Sequence, residues 1–423
     1  MSETFCRDLL LNKKLMAELK GSVDLVLCDI SNLCCTVLSE LLEVPHVSVI
    51  TVAFMEPLIT CIIEMPEILL HMNIQPVKIA GNAVGKDPWG KDRQPEHLSF
   101  ANRLKNTVSY FFAHMILTGE LIPTKLWDDH AKSISKYASA YESFWKRFGL
   151  VLVSHDFAFT YPQPLYANVK MIGPVLPEPA KNLSVELEKF MSVNKKVVLV
   201  SFGTVLSQYN KELLNTLSVG LSKVPLQVLW KHSGAPPTVV GNNTKIVQWM
   251  PQNDILGHKS TVVFLTHGGL NSFQESVYHG VPVIVMPLFG DQHWSASVCA
   301  KKQLGVVLDK ANLESQKVSE AVMEVLKNSI YKENVMMISK RLKRRKRTPA
   351  QEGADWIEYA LENDGALHLR SPAGDLAFYQ RYMLDVFLFI SLIEFLLVYL
   401  IMKVLKCIFC RVTEQRKDKK KLL

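Results

Sequence analysis

An apolar run ending at Thr266 is followed by His267-Gly268-Gly269 and then by a helical pattern. The glycines leave backbone N–H groups uncovered, and a helix start adds unpaired N–H groups and the positive end of aligned peptide dipoles, so this turn suits a phosphate. Asn271, Glu275 and then Tyr278 or His279 follow at four- and three-residue spacing, which places them on one helix face. An acid one turn inside a phosphate-binding helix is placed to accept two ribose hydroxyls. A second apolar run ends in Pro287-Leu288-Phe289-Gly290-Asp291-Gln292, bringing a carboxylate and an amide to the same sheet edge, where they suit sugar hydroxyls. Singly, each feature has an ordinary use: Gly268-Gly269 as a tight turn, Glu275 on a solvated helix face, Trp249 as a core aromatic. A nicotinamide-type G-x-G-x-x-G does not occur, which counts against a dehydrogenase.

The elements that must position these residues alternate. Short β-rich runs fall at 24–30, 46–50, 149–154, 197–203, 227–230, 244–249, 261–266, 281–287 and 305–308. Helical patterns fall at 32–43, 98–117, 134–147, 210–223, 270–279, 314–327 and 331–345. Near-continuous apolar strands between helices predict α/β architecture with parallel sheets covered on both faces. The segment 175–186, with two prolines and little periodicity, reads as an interdomain linker. Two domains are therefore expected, 1–180 and 186–370. The region 52–133, rich in Met, Leu, Ile and Phe, suits either an apolar pocket or ordinary core.

The 423 residues are 48% hydrophobic and 21% charged, which excludes a disordered or fibrous chain. The net charge of +8 is more than accounted for by the tail from Lys403 onward and the run Lys340–Arg347, so the remainder is mildly acidic and general nucleic-acid binding is not expected. The basic run reads either as a nuclear address or, better, as a solvated helix face. Eight scattered cysteines indicate neither a zinc site nor a disulfide scaffold. Val386–Met402 carries one charge, Glu394, and meets the minimum length for a bilayer-spanning helix, giving an expected span of 384–405 and a basic tail of 406–423. The positive-inside rule places that tail in the cytosol and the body across the membrane. Lys420-Lys421-Leu422-Leu423 matches the dilysine signal for return to the endoplasmic reticulum. Asn182-Leu183-Ser184 and Asn242-Asn243-Thr244 are glycosylation sequons. The N-terminus has no basic segment followed by an apolar one, so a signal peptide is expected before residue 1.

Several ordered segments, among them SFGT, WMPQNDILGH (249–258), the run 264–292, YKENVM (331–336) and WIEYALENDGALHLR (356–370), resemble the signature of the UDP-glucuronosyltransferase family. The resemblance implies the GT-B fold, two Rossmann-like doubly wound parallel-sheet domains followed by one C-terminal transmembrane helix. It also implies transfer of a sugar, with glucuronic acid favoured by Phe289 before Gly290-Asp291, from a UDP-sugar to a small lipophilic acceptor with inversion. Neither a metal nor a cofactor beyond the UDP-sugar co-substrate is implied.

On this resemblance Trp249 stacks on uracil and Gln252 bonds the nucleoside. His267, Gly268 and Gly269 hold the diphosphate with Asn271 and the Gly203-Thr204 turn, Glu275 binds the ribose, and Asp291 and Gln292 hold the transferred sugar. Asp29 orients a catalytic histidine that the resemblance places before residue 1. The chain departs from the family where Trp230-Lys231 stands for Trp-Arg, since lysine lacks the bidentate geometry toward phosphate. Homo- or hetero-oligomers with family members are compatible with the resemblance, and a second reading makes the chain a short inactive form that binds donor and modulates full-length members.

Overall fold

The computed structural model describes residues 8–29, 34–50, 147–160, 165–193, 196–203, 211–288, 292–370, 372–381 and 383–421. The expected helix at 98–117, nearly all of that at 134–147, and the apolar region 52–133 lie outside the described residues, as do Thr204, Phe289, Gly290 and Asp291. The described residues fall into two compact units, 8–370 and 372–421.

The first unit contains two parallel sheets. After α1 (Lys13–Leu19), strand β1 (Val26–Asp29) leads through α2 (Cys34–Leu42) to β2 (His46–Ile50), and β3 (Phe148–Val153) and β4 (Val169–Met171) complete a four-stranded sheet of order β1-β2-β3-β4. All three pairings are parallel. Cys28 and Cys35 form a disulfide with Cα atoms 6.2 Å apart, a local pairing that their scattered spacing does not announce.

The connector then reaches α3 (Val185–Ser192), earlier than an unstructured linker would allow. Ser184 caps that helix by accepting from the Leu187 amide, and Glu186 and Glu188 favour its first turn. Next come β5 (Val197–Ser201), α4 (Lys211–Ser222), β6 (Gln227–Lys231), β7 (Thr244–Val247), α5 (Gln252–Gly257), β8 (Thr261–Thr266), α6 (Leu270–His279), β9 (Val283–Val285), α7 (Gln292–Lys301) and β10 (Gly305–Val307). Their order is β10-β9-β8-β5-β6-β7, every neighbour parallel. That is the doubly wound Rossmann order, with its direction switch between β5 and β8.

The central strands β5, β8 and β9 are almost wholly apolar because both faces are covered, whereas edge strand β7 is half-buried throughout. Val197, Leu199, Leu229, Phe264, Val283 and Val285 enter one core with α6 and α7; the alternating Val198, Val200, Val228, Trp230, Val263, Leu265 and Ile284 enter the other with α4 and α8 (Ser315–Lys327). Every residue of β5 is buried.

The chain then returns. After α9 (Ser329–Lys343), helix α10 (Pro349–Glu362) and the 3₁₀ turn Asp364–Leu369 pack on the four-stranded sheet, where Ala360 and Ala366 join Val47, Leu150, Leu152 and Ile172. Lys170 of β4 lies 4.1 Å from the Trp356 ring. The approach is close enough that a Cβ at Gly149 would overlap the Gly365 carbonyl oxygen.

The basic run is not one solvated face. Lys340, Arg341 and Lys343 do end α9 as exposed cations, which suits a helix C-terminus. Arg345 instead turns inward: it pairs with Asp156 at 2.5 Å and with Glu352, and reaches the Met171 carbonyl. One guanidinium therefore ties the loop after β3, the end of β4 and the first turn of α10.

The second unit comprises α11 (Phe378–Arg381) and α12 (Leu384–Lys421). Within α12, Leu384–Phe409 is one apolar helix of 26 residues with mean hydropathy 2.4, long and apolar enough to cross a membrane.

Two predictions follow from the packing of the first unit. Replacing Arg345 by Met leaves Asp156 and Glu352 without their cation, and thermal unfolding should show a loss of about 2–3 kcal/mol. Burial lowers His46 to about 4, helped by the Arg147 charge, and lowers His155 to about 3. An unfolded chain takes up those protons at the ordinary value of 6.5, so stability is constant above that pH and falls as pH drops from 6.5 toward 4. Melting at pH 5 should reveal a loss of about 2 kcal/mol for each such histidine relative to pH 7.5.

Candidate functional site

The C-terminal ends of β5 and β8 diverge at the switch point, and two turns with little side-chain bulk lie there. Gly203, two residues beyond β5, adopts φ 61°, and a Cβ on it would lie 3.4 Å from the His267 ring. Gly268, beyond β8, adopts φ 85° with its back against Val285, so a Cβ would sit 2.6 Å from that side chain. Gly269 is the N-cap of α6, and a Cβ on it would lie 2.6 Å from His267 Nε2. No side chain caps α6, so its first amides remain available to a ligand.

His267 is buried between these glycines and hydrogen-bonds the Ser201 backbone. Burial lowers its pKa to about 4, against the opposing effect of that bond, so the ring is neutral at physiological pH. The one N–H of the neutral ring is turned to the Ser201 backbone, so His267 brings no charge to the turn and leaves donation to an anion to the backbone amides around it.

A second cluster forms where α5 meets α6. Gln252, the first residue of α5, donates its side-chain amide to Ser272 Oγ at 3.0 Å and to the Glu275 carboxylate. Burial raises the Glu275 pKa, while the Gln252 bond and the Lys231 charge oppose the rise. One turn on, His279 Nε2 lies 2.8 Å from Asn253 Oδ1. The α6 face that meets α5 is thus Ser272, Glu275 and His279, and Asn271 lies beside it, exposed. Ser272 and Asn253 are not singled out by residue type, although the three-residue step from Ser272 to Glu275 is a readable signal.

Trp249, in the turn between β7 and α5, is 74% exposed, while the adjacent Met250 is buried. A large aromatic held in solvent beside Gln252 presents a face on which a flat ring can stack. Gln292 begins α7 and is buried, its Oε1 accepting from the Leu288 amide at 2.7 Å. Its carbonyl oxygen lies beside Gly268, 3.4 Å from where that residue's Cβ would be. The structure therefore gathers Gly203, His267, Gly268, Gly269 and the Gln292 backbone at the switch point and joins Gln252 to Glu275, with Trp249 three residues before Gln252 in the chain. Asp29 ends β1 of the other sheet.

A family model described as UDP-glucoronosyl and UDP-glucosyl transferase matches residues 1–421. UDP-glucuronosyltransferase 2B33 of Macaca mulatta is 31% identical over 423 residues, covering 99% of this chain and 76% of that protein. Human UDP-glucuronosyltransferase 2B15 is 30% identical over 427 residues, with the same coverage. Among solved structures, Os79 from O. sativa in complex with UDP superposes with a TM-score of 0.57 at 19% identity, covering 85% of this chain and 84% of that one. The spinosyn forosaminyltransferase SpnP gives 0.56 at 14% identity, covering 85% and 83%. The two parallel sheets and these superpositions give the GT-B fold, and the family match over nearly the whole sequence shows that the chain belongs to the UDP-glucuronosyl and UDP-glucosyl transferases.

Proposed function

We propose that this glycosyltransferase moves glucuronic acid from UDP-glucuronate to a small lipophilic acceptor. The observation that carries the reading is the pairing of a glycine-lined, uncapped helix start at the sheet's switch point with the Gln252–Glu275 pair beside exposed Trp249. A nucleoside diphosphate has the matching sequence of parts: a flat base, a ribose diol and a diphosphate. The names of the relatives, UDP-glucuronosyltransferases, support the choice of donor.

In this reading uracil stacks on Trp249, Gln252 bonds the nucleoside, and Glu275 accepts from the ribose. The diphosphate lies against the Gly268 and Gly269 amides with the Gly203-Thr204 turn, Asn271 and neutral His267 around it. Asp291 and Gln292 hold the transferred sugar. The acceptor hydroxyl loses its proton to a base oriented by Asp29 and attacks the anomeric carbon. The bond to UDP breaks with inversion, and the helix-end amides stabilise the charge that grows on the leaving diphosphate.

The membrane reading extends this. Helix α12 anchors the protein in the endoplasmic reticulum membrane by a single pass, with the basic tail in the cytosol and the body in the lumen. Its support is the 26-residue apolar helix followed by the basic tail.

Titration calorimetry on the detergent-solubilised protein should detect UDP binding, and Glu275→Ala should weaken it by roughly 1–3 kcal/mol through lost hydrogen bonds. Because burial raises the Glu275 pKa above its ordinary 4.5, affinity should also fall as pH is lowered through that raised value and the carboxylate takes up a proton. A folded protein with no UDP affinity removes the basis of the reading. For the topology, protease added to sealed microsomes should trim only the tail, and glycosidase should shift a protein modified at Asn182 or Asn242, both exposed. Digestion of residues 185–362 in sealed vesicles reverses the orientation.

A further inference from the structure

The connector between the two sheets does not hang free beside the nucleotide cluster; residues 178–181 lie along α5. Asn253 makes a two-point contact with one connector residue: its Oδ1 accepts from the Glu178 amide at 3.2 Å and its Nδ2 donates to the Glu178 carbonyl at 3.1 Å. The Lys181 amide donates to Asp254 Oδ1 at 3.0 Å. At the far end of α5 the contact is closer still, since a Cβ on Gly257 would overlap that of Ala180 and lie 2.9 Å from the His279 ring.

The same asparagine faces α6. Burial, reinforced by the Lys343 charge, lowers His279 to about 4, so its ring is neutral and its Nε2 hydrogen is directed at Asn253 Oδ1, 2.8 Å away. Asn253 thus meets a connector residue on one side and α6 on the other. It follows directly on Gln252, whose amide is bound to Ser272 and Glu275. A six-residue helix has few bonds of its own, so its attitude is set by what it touches.

We propose that Asn253 is a positioning residue, which couples the filling of the nucleotide site at Gln252 and Glu275 to the connector that joins the two sheets. The inference rests on the reading that UDP binds at those two residues. In that reading the nucleotide bonds Gln252 and Glu275, and Asn253 acts through its protein contacts. When a nucleotide fixes Gln252 and Glu275, α5 loses freedom, and the Glu178 and Lys181 amides become more protected although they lie on the far side of the helix.

Amide hydrogen exchange, followed by mass spectrometry on the full chain in detergent, reads the connector directly. In the wild type, saturating UDP should slow exchange of a peptide spanning 176–183 several-fold. Asn253→Ala should speed that exchange without UDP and should abolish the UDP-dependent slowing, while calorimetry still registers UDP. Asn253→Asp keeps Oδ1 for the Glu178 amide and for His279 but cannot donate to the Glu178 carbonyl, so it should retain part of the slowing. A purely structural role changes exchange equally with and without UDP and leaves the difference intact, which overturns the proposal. Wild-type protein that binds UDP with no change in the connector overturns it as well, without touching the reading of the site. Protein that binds no UDP overturns both.

Discussion

A parallel sheet wound in both directions has to reverse somewhere, and the place of reversal is fixed by strand order. Here β5, β6 and β7 are laid outward one way and β8 is set down on the other side of β5. At such a reversal the chain connections on either side run to opposite faces and leave a crevice between the strand ends. Both strands are buried on both faces, so the crevice floor cannot move aside. Glycine at 203, 268 and 269 keeps side chains out of the crevice, and His267 fills the space between them. The Gln252–Glu275 pair forms where α5, which follows β7, meets α6, which follows β8.

Burial acts on the two titratable groups of this region in opposite chemical senses with one electrostatic result. It lowers the pKa of His267 and raises that of Glu275, favouring the neutral form of each. The positive potential available to an anion then comes from the start of α6 and from the backbone, groups that do not titrate and do not reorient. Lys231 adds a cationic charge near Glu275.

Much of this architecture is legible in the sequence. Most strands can be read because they are short, largely apolar runs; β8 at 261–266, β2 of the first sheet at 46–50 and the helix at 270–279 have the expected boundaries. Helices α5 and α7 escaped notice for physical reasons: α5 has only six residues, and α7, QHWSASVCAK, has no apolar stripe because polar Gln292 and Ser295 are buried along with Ala296 and Val298. α10 carries a start signal in its cap, where Thr348 and Gln351 bond reciprocally around Pro349. The site residues named by type were those whose chemistry is unusual for their place, the Gly-Gly turn and the acid one turn inside. Ser272 and Asn253 act through partners distant in sequence, and spacing does not reveal which helix faces which.

The two stretches of chain that pass between the sheets also have a mechanical meaning. One leaves β4 through Gly173, and the other runs from α9 through Arg345 to α10. They touch: a Cβ on Gly173 would lie 3.2 Å from the Arg345 guanidinium and equally close to Pro349. Among the described residues, further links start from the loop just after β3, where Asp156 meets Arg345, Gln274 donates to the Ser154 carbonyl and Phe159 sits edge-on to Phe273. Two crossings far apart would act as two bolts and lock the sheets in one attitude. Running side by side, both crossings come within reach of the one Arg345 guanidinium, so a single side chain fastens both at the same point.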